Sequence, residues 1–94
     1  MSENKYSITG ISIGFPVYNG ELFLKKALDS LLNQTYSNFE LIISDNNSTD
    51  STQRICQEYA KNDDRIRYIK QEKNIGPYPN FYFVLSQSKG KYFM

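Results

Sequence analysis

Phe39-Glu40-Leu41-Ile42-Ile43-Ser44-Asp45-Asn46-Asn47-Ser48-Thr49-Asp50 is the stretch from which the rest of this 94-residue chain can be read. Leu41, Ile42 and Ile43 are consecutive and apolar, with no in–out alternation. A strand over Phe39–Ser44 is therefore expected to be buried on both faces, as in a parallel sheet covered by helices. The polar run that follows is made of residues that form turns and start helices. Ser48, Thr49 and Asp50 are explained as caps and turn formers. Asp45 sits too early for that role, so its charge asks for another explanation.

The same sequence of events recurs on either side. Further strands are expected at Ile11–Phe15, Ile66–Lys70 and from Lys91 to Met94. Their spacing is close to the ~30 residues of a βα unit. Between them lie helical patterns. Leu24, Leu28, Leu31 and Leu32 form one apolar stripe, with Lys25, Lys26 and Asp29 off it. A second helix follows Ser48-Thr49-Asp50 and presents Ile55, Cys56 and Tyr59. A third follows Pro77 and Pro79, which suit a helix entrance, and presents Phe81, Val84 and Leu85. The expected fold is α/β, a Rossmann-like three-layer half-domain with a parallel sheet in the order βαβαβαβ. Ligands of such sheets bind beyond the carboxyl ends of the strands. Three loops lie there: Pro16–Gly20, Asp45–Asp50 and Gln71–Tyr78.

Composition narrows the chemistry. Apolar residues are 39% and charged residues 22%, which describes one small globular domain. The net charge of +1 gives no general reason to bind nucleic acid or an anionic membrane. Lys61, Arg65, Arg67, Lys70 and Lys73 form a basic cluster interrupted by Asp63, Asp64 and Glu72. It reads as a solvated face, with a phosphate-facing role for one or two members as the sharper option. The single cysteine, Cys56, rules out an internal disulfide and reads as a small buried apolar residue, which suits a reducing compartment. With no histidine, Ser–His triads and His-ligated metals are excluded, so any metal would need oxygen ligands. Met1–Ser7 has no apolar core of a signal peptide, and no run is long enough to span a membrane. Cytoplasmic location is the default expectation.

The first loop, Phe15-Pro16-Val17-Tyr18-Asn19-Gly20, lacks the glycine fingerprint of a dinucleotide site and the P-loop pattern. Tyr18 instead could offer a ring face to a nucleobase, a contact worth about 1–3 kcal/mol. The plainer reading has Tyr18 under the next helix and Asn19 capping it. In the second loop, Asp45 could accept a hydrogen bond from a base imide N–H or a ribose hydroxyl. In the third, Gly76 can take positive φ and Pro77 fixes its own, which makes a turn. Asn74 or Lys73 could there approach ribose or phosphates. Polar groups at three adjacent strand ends meet the requirement of a nucleotide site.

These loops, in this order, resemble the family-two glycosyltransferases, inverting enzymes of the GT-A fold. The resemblance rests on Ile11–Asn19, on Leu28-x-Ser30-Leu31-Leu32-x-Gln34-Thr35-Tyr36, on Phe39–Asp50, on Asn74-x-Gly76 and on Gly90-Lys91-Tyr92. It implies that residues 11–94, after a polar extension at 1–10, are the nucleotide-sugar-binding part of such a domain. It implies nucleotide-binding roles for Pro16 and Tyr18 beside the nucleoside, Asp45 and Asn46 at base and ribose, and Asn74 near ribose and diphosphate. Asn46 stands where many members carry a second Asp. The resemblance further implies a UDP- or dTDP-type sugar donor, an acceptor hydroxyl, a role in polysaccharide biosynthesis, and Mg or Mn in the full-length enzyme.

The metal motif and the catalytic base are expected beyond Met94, so no catalytic or metal-ligating residue is assigned within the chain. The expectation is a truncated GT-A fold, a piece of a longer enzyme that transfers no sugar by itself. The parent is expected in the cytoplasm, at the inner face of the membrane. An unfinished fourth strand would leave a sheet edge open to a second copy, giving a homodimer. Two other readings remain at this stage: a nucleotide-binding or self-association module without catalysis, and a dinucleotide-dependent oxidoreductase, which the missing glycines oppose.

Overall fold

The computed structural model describes residues 11–33 and 38–87 and the backbone of 92–93. The extension at 1–10, the segment Gln34-Thr35-Tyr36, and Gly90, Lys91 and Met94 lie outside the described residues. Strands and helices alternate: β1 (Ile11–Val17), α1 (Glu21–Leu32), β2 (Phe39–Asp45), α2 (Thr52–Asn62), β3 (Ile66–Lys70), α3 (Pro77–Gln87) and β4 (Tyr92–Phe93). The strands form one parallel sheet in the order β3-β2-β1-β4. Strand order therefore reverses at β1, as in a doubly wound sheet, and α3 must cross back over the sheet to reach β4.

β2 is the sheet's central, driest strand. Leu41, Ile42 and Ile43 are all fully buried. On one face, Phe39, Leu41 and Ile43 join Ile13 and Val17 of β1, Leu24 and Leu28 of α1, Cys56 of α2 and Ile66 of β3 in the main core. Leu31, Leu32, Ile55 and Tyr59 pack partly buried against it, so both expected helical stripes face inward. Burying a Leu side chain stabilises by about 1.5–3 kcal/mol, and Leu24 and Leu28 are both fully buried.

The opposite face carries α3, and here the expected apolar face is corrected. Asn80 and Val84 are the buried residues of this helix, while Phe81 and Leu85 are exposed. The helix is rotated because two polar residues find partners inside. Asn80 exchanges hydrogen bonds with Ser44, and Gln87 accepts from Arg67 through both its carbonyl and its side-chain oxygen. A satisfied buried amide costs little, so it can take a place an apolar residue would otherwise hold.

β1 runs two residues past the expected Phe15 and includes Pro16. Its odd-numbered residues bond towards β2: Ile11 donates to the Asn38 carbonyl and the Val17 carbonyl accepts from Asn46. By alternation, Pro16 points the other way. There β4 pairs only with Ile11 and Ser12 among the described residues, so the missing N–H of Pro16 breaks no observed bond.

Cys56 is fully buried, and burial together with the nearby Asp45 carboxylate pushes its thiol up to about 12. The thiolate is the reactive form. Native protein at about pH 8 is therefore expected to resist a disulfide reagent such as DTNB, whereas unfolded protein reacts fully. Ready labelling without denaturant would show that α2 does not seal the core.

Candidate nucleotide site

The carboxyl ends of β1, β2 and β3 carry three loops that are joined almost entirely by hydrogen bonds between loops. Asn19, at φ +49°, donates its N–H to Ser48 Oγ (2.8 Å), and its Oδ1 accepts from the Thr49 N–H (2.8 Å). Gly20 donates its N–H to Thr52 Oγ1 (2.9 Å). Asp50 accepts from the N–H groups of Glu21 and Thr52, while the Glu21 carboxylate accepts from the Ser51 N–H. The starts of α1 and α2 thus cap each other across the loops, which is how their orphan N–H groups are satisfied. Asn19 does not cap α1 through its side chain, as the local reading would have it; that side chain ties loop one to loop two. Gly20 sits in this junction with no room for more: a Cβ there would lie 2.7 Å from Phe23 Cζ and 2.8 Å from Val17 Cγ2.

Asp45 lies beneath these loops. It is fully buried; Oδ1 accepts from the Ser48 N–H (2.9 Å) and Oδ2 from the Tyr68 hydroxyl (2.6 Å). Burial and this hydrogen bond push the Tyr68 hydroxyl well above its ordinary pKa, so it remains a donor. The carboxylate that the sequence marks out is thus a buried tie between β2, its following turn and β3.

Asn46 follows at the end of β2. Its Oδ1 accepts from the Ile75 N–H (2.8 Å) and its Nδ2 donates to the Gly76 carbonyl (3.1 Å). Loop three is further shaped by Gly76, at φ +88°, whose N–H donates to Asn74 Oδ1 (2.8 Å). The expected turn, with positive φ at Gly76, is observed, but α3 begins at Pro77 and takes in Pro79, where the sequence suggests a helix that follows both prolines. Deeper in, Ser44 Oγ accepts from Gln71 Nε2 and bonds to Asn80.

Between the loops lies an open cavity of about 360 Å³, lined by Pro16, Val17, Tyr18, Asn46, Asn74, Pro77 and Asn80. Four of the five residues singled out from the sequence (Pro16, Tyr18, Asn46 and Asn74) come together on its wall. Asp45 is not on that wall. Tyr18 is 49% exposed, so it is not packed under α1, and one ring is available to a flat ligand. Asn80 was not visible as a site residue. The available signal was an amide in the first turn of α3, past the position where a side-chain cap would sit.

The basic cluster does not gather here. Arg65 pairs with Asp63 (2.7 Å) and lies over the Phe39 ring (4.5 Å), Arg67 bonds to Gln87, and Lys70 donates to Gln53. None of the five cations lines the cavity. Among the described residues, no group of three or more His, Cys, Asp or Glu could hold a metal ion, and no helix is long and apolar enough to cross a membrane. A second groove, of about 380 Å³, runs between α1 and α2 beside Lys25, Glu58, Tyr59 and Asp63. Its charges are already neutralised locally, Lys25 by Asp29 and Asp63 by Arg65. It also lies away from the strand ends, where an α/β sheet binds ligands.

Known proteins place the chain. Streptococcus pneumoniae "Glycosyltransferase GlyA" is 47% identical over 62 residues, covering 66% of this chain and 9% of that protein. A Campylobacter jejuni protein named GalNAc(5)-diNAcBac-PP-undecaprenol beta-1,3-glucosyltransferase is 37% identical over 83 residues, 87% of this chain and 27% of its own length. The chain thus spans about a quarter or less of these relatives. Among solved structures, Staphylococcus aureus TarS 1–349 in complex with UDP-GlcNAc superposes with a TM-score of 0.82 at 28% identity, covering 90% of this chain and 25% of that one. The fold is accordingly the front part of the GT-A architecture. Residues 12–94 match the profile described as Glycosyl transferase family 2, so with its loops, cavity and relatives in agreement, the chain belongs to that family of glycosyltransferases.

Proposed function

We propose that the cavity holds the nucleoside part of a nucleotide-diphosphate-sugar donor. The observation that carries this is the convergence of Pro16, Tyr18, Asn46 and Asn74, from three separate loops, on one wall. Tyr18 would stack on the base, Pro16 and Val17 would supply apolar contact, and Asn46 and Asn74 would offer amide groups to base edge and ribose. Asp45 would act from below by fixing the turn that carries Ser48. A UDP-type donor is supported by the UDP-GlcNAc bound to the TarS structure of the same fold; a dTDP-type donor presents the same imide edge.

The longer enzyme would then transfer the sugar to an acceptor hydroxyl with inversion. A carboxylate outside this chain would take the proton. A divalent ion, Mg or Mn, would neutralise the diphosphate leaving group. No cluster among the described residues fits such an ion, so no ligand is assigned to it. The 94 residues supply the nucleotide half and would turn over no donor alone. Catalysis is proposed for the cytoplasm, at the inner face of the membrane. The sheet order places β3 and β4 at the edges, so pairing of two copies there is the accompanying proposal for assembly, readable by light scattering.

Titration with UDP tests the site. Weak saturable binding is expected, with a Kd on the order of 1 mM or about −4 kcal/mol, and no change in NADH fluorescence on mixing. NADH binding with no response to UDP would overturn the reading in favour of a dinucleotide site.

A further inference from the structure

We propose that Asn46 is a positioning residue, whose neutral amide clamps loop three and thereby sets one wall of the nucleotide cavity. The inference rests on the nucleotide reading of that cavity and adds a requirement that the residue be uncharged. Its two bonds leave no freedom in the orientation of the amide. The Ile75 N–H can only face an acceptor and the Gly76 carbonyl only a donor, so Oδ1 and Nδ2 are fixed by their partners. The Gly76 carbonyl also accepts the Asn80 N–H (3.2 Å), the bond that opens α3. One side chain at the end of β2 therefore holds the turn at Gly76 and the first turn of α3. Asn74, Pro77 and Asn80 all reach the cavity from this segment.

An ionised Asp at this position could still accept from Ile75, but it would set a carboxylate oxygen against the Gly76 carbonyl. Two acceptors cannot share that contact without a proton between them. A protonated Asp restores it, because its O–H can donate to Gly76. The charged and titratable residues of the elements that meet here are Asp45 on β2, whose carboxylate is turned onto Ser48 and Tyr68, Glu72 and Lys73 on loop three, and Tyr18 on the cavity wall, while α3 carries no charged residue.

Asn46→Asp in the full chain is compared with wild type by ¹⁵N NMR, first without ligand and then titrated with UDP, between about pH 5 and pH 8. Without ligand, the Ile75, Gly76 and Asn80 amide signals of the variant are expected to titrate together, while those of wild type stay fixed. With UDP, affinity is expected to fall about tenfold at pH 8, as for one lost buried hydrogen bond, and to recover towards the parallel wild-type curve as pH falls. An unchanged or tighter UDP affinity at pH 8, or signals that do not titrate, would overturn the clamp. The ligand-free signals judge the clamp even if wild type fails to bind UDP. That failure would count against the nucleotide reading alone.

Discussion

Asp45→Ala is expected to lower the thermal unfolding midpoint by at least about 8 °C. The substitution leaves the Ser48 N–H and the Tyr68 hydroxyl without their acceptor. Each unsatisfied buried group costs about 1–3 kcal/mol, so the total for the two is about 2–6 kcal/mol. A domain of this size has only about 5–14 kcal/mol to lose, and each kcal/mol shifts the midpoint by about 4–8 °C. Asp45→Asn is expected to stay close to wild type. Its amide oxygen can keep the Ser48 N–H, the Tyr68 hydroxyl can turn to accept, and a buried charge is removed. Differential scanning calorimetry of both variants decides this. An alanine variant as stable as wild type would show that the carboxylate is not the tie the geometry describes. The loss would reach the cavity too, since Ser48 in turn holds Asn19, next to Tyr18.

The second large effect is on binding. Tyr18→Ala removes a half-exposed ring from the cavity wall. The fold should not notice, and the melting curve is expected to move little. UDP affinity is expected to fall about five- to 150-fold, the equivalent of about 1–3 kcal/mol for a base on an aromatic ring. From a millimolar starting point that amounts to loss of the saturable signal, while Tyr18→Phe keeps it. Unchanged binding in the alanine variant would remove the stacking role. The contrast between these two positions separates support from contact. Asp45 should change stability first and binding as a consequence, and Tyr18 should change binding alone.

Most of the architecture was readable because periodicity carries it. The unbroken apolar run at Leu41–Ile43 marks a strand covered on both faces, and the stripe of Leu24 and Leu28 marks the buried side of α1. Polar residues that face inward escape this kind of reading. Phe81 and Leu85 claim the inner side of α3 by hydrophobicity, yet Asn80 takes it because Ser44 lies opposite. The same limit applies at Asp45. Its position at a strand end is legible, but its burial depends on the parallel register that sets Tyr68 opposite Ile43, two residues before Asp45. No local pattern states that register. Asn19 likewise looks like a cap because its true partners, Ser48 and Thr49, are remote in sequence. Three loops at one sheet edge converge whatever each side chain does within them, which is why Pro16, Tyr18, Asn46 and Asn74 share one cavity wall.

The central claim, that these loops form one nucleotide cavity, is most directly tested by ¹⁵N–¹H NMR of the 94-residue chain titrated with UDP. Saturable shifts are expected at Val17, Tyr18, Asn46, Asn74 and Asn80, with the groove between α1 and α2 undisturbed. Shifts that never saturate, or that saturate beside Lys25, Tyr59 and Asp63 instead, would contradict it.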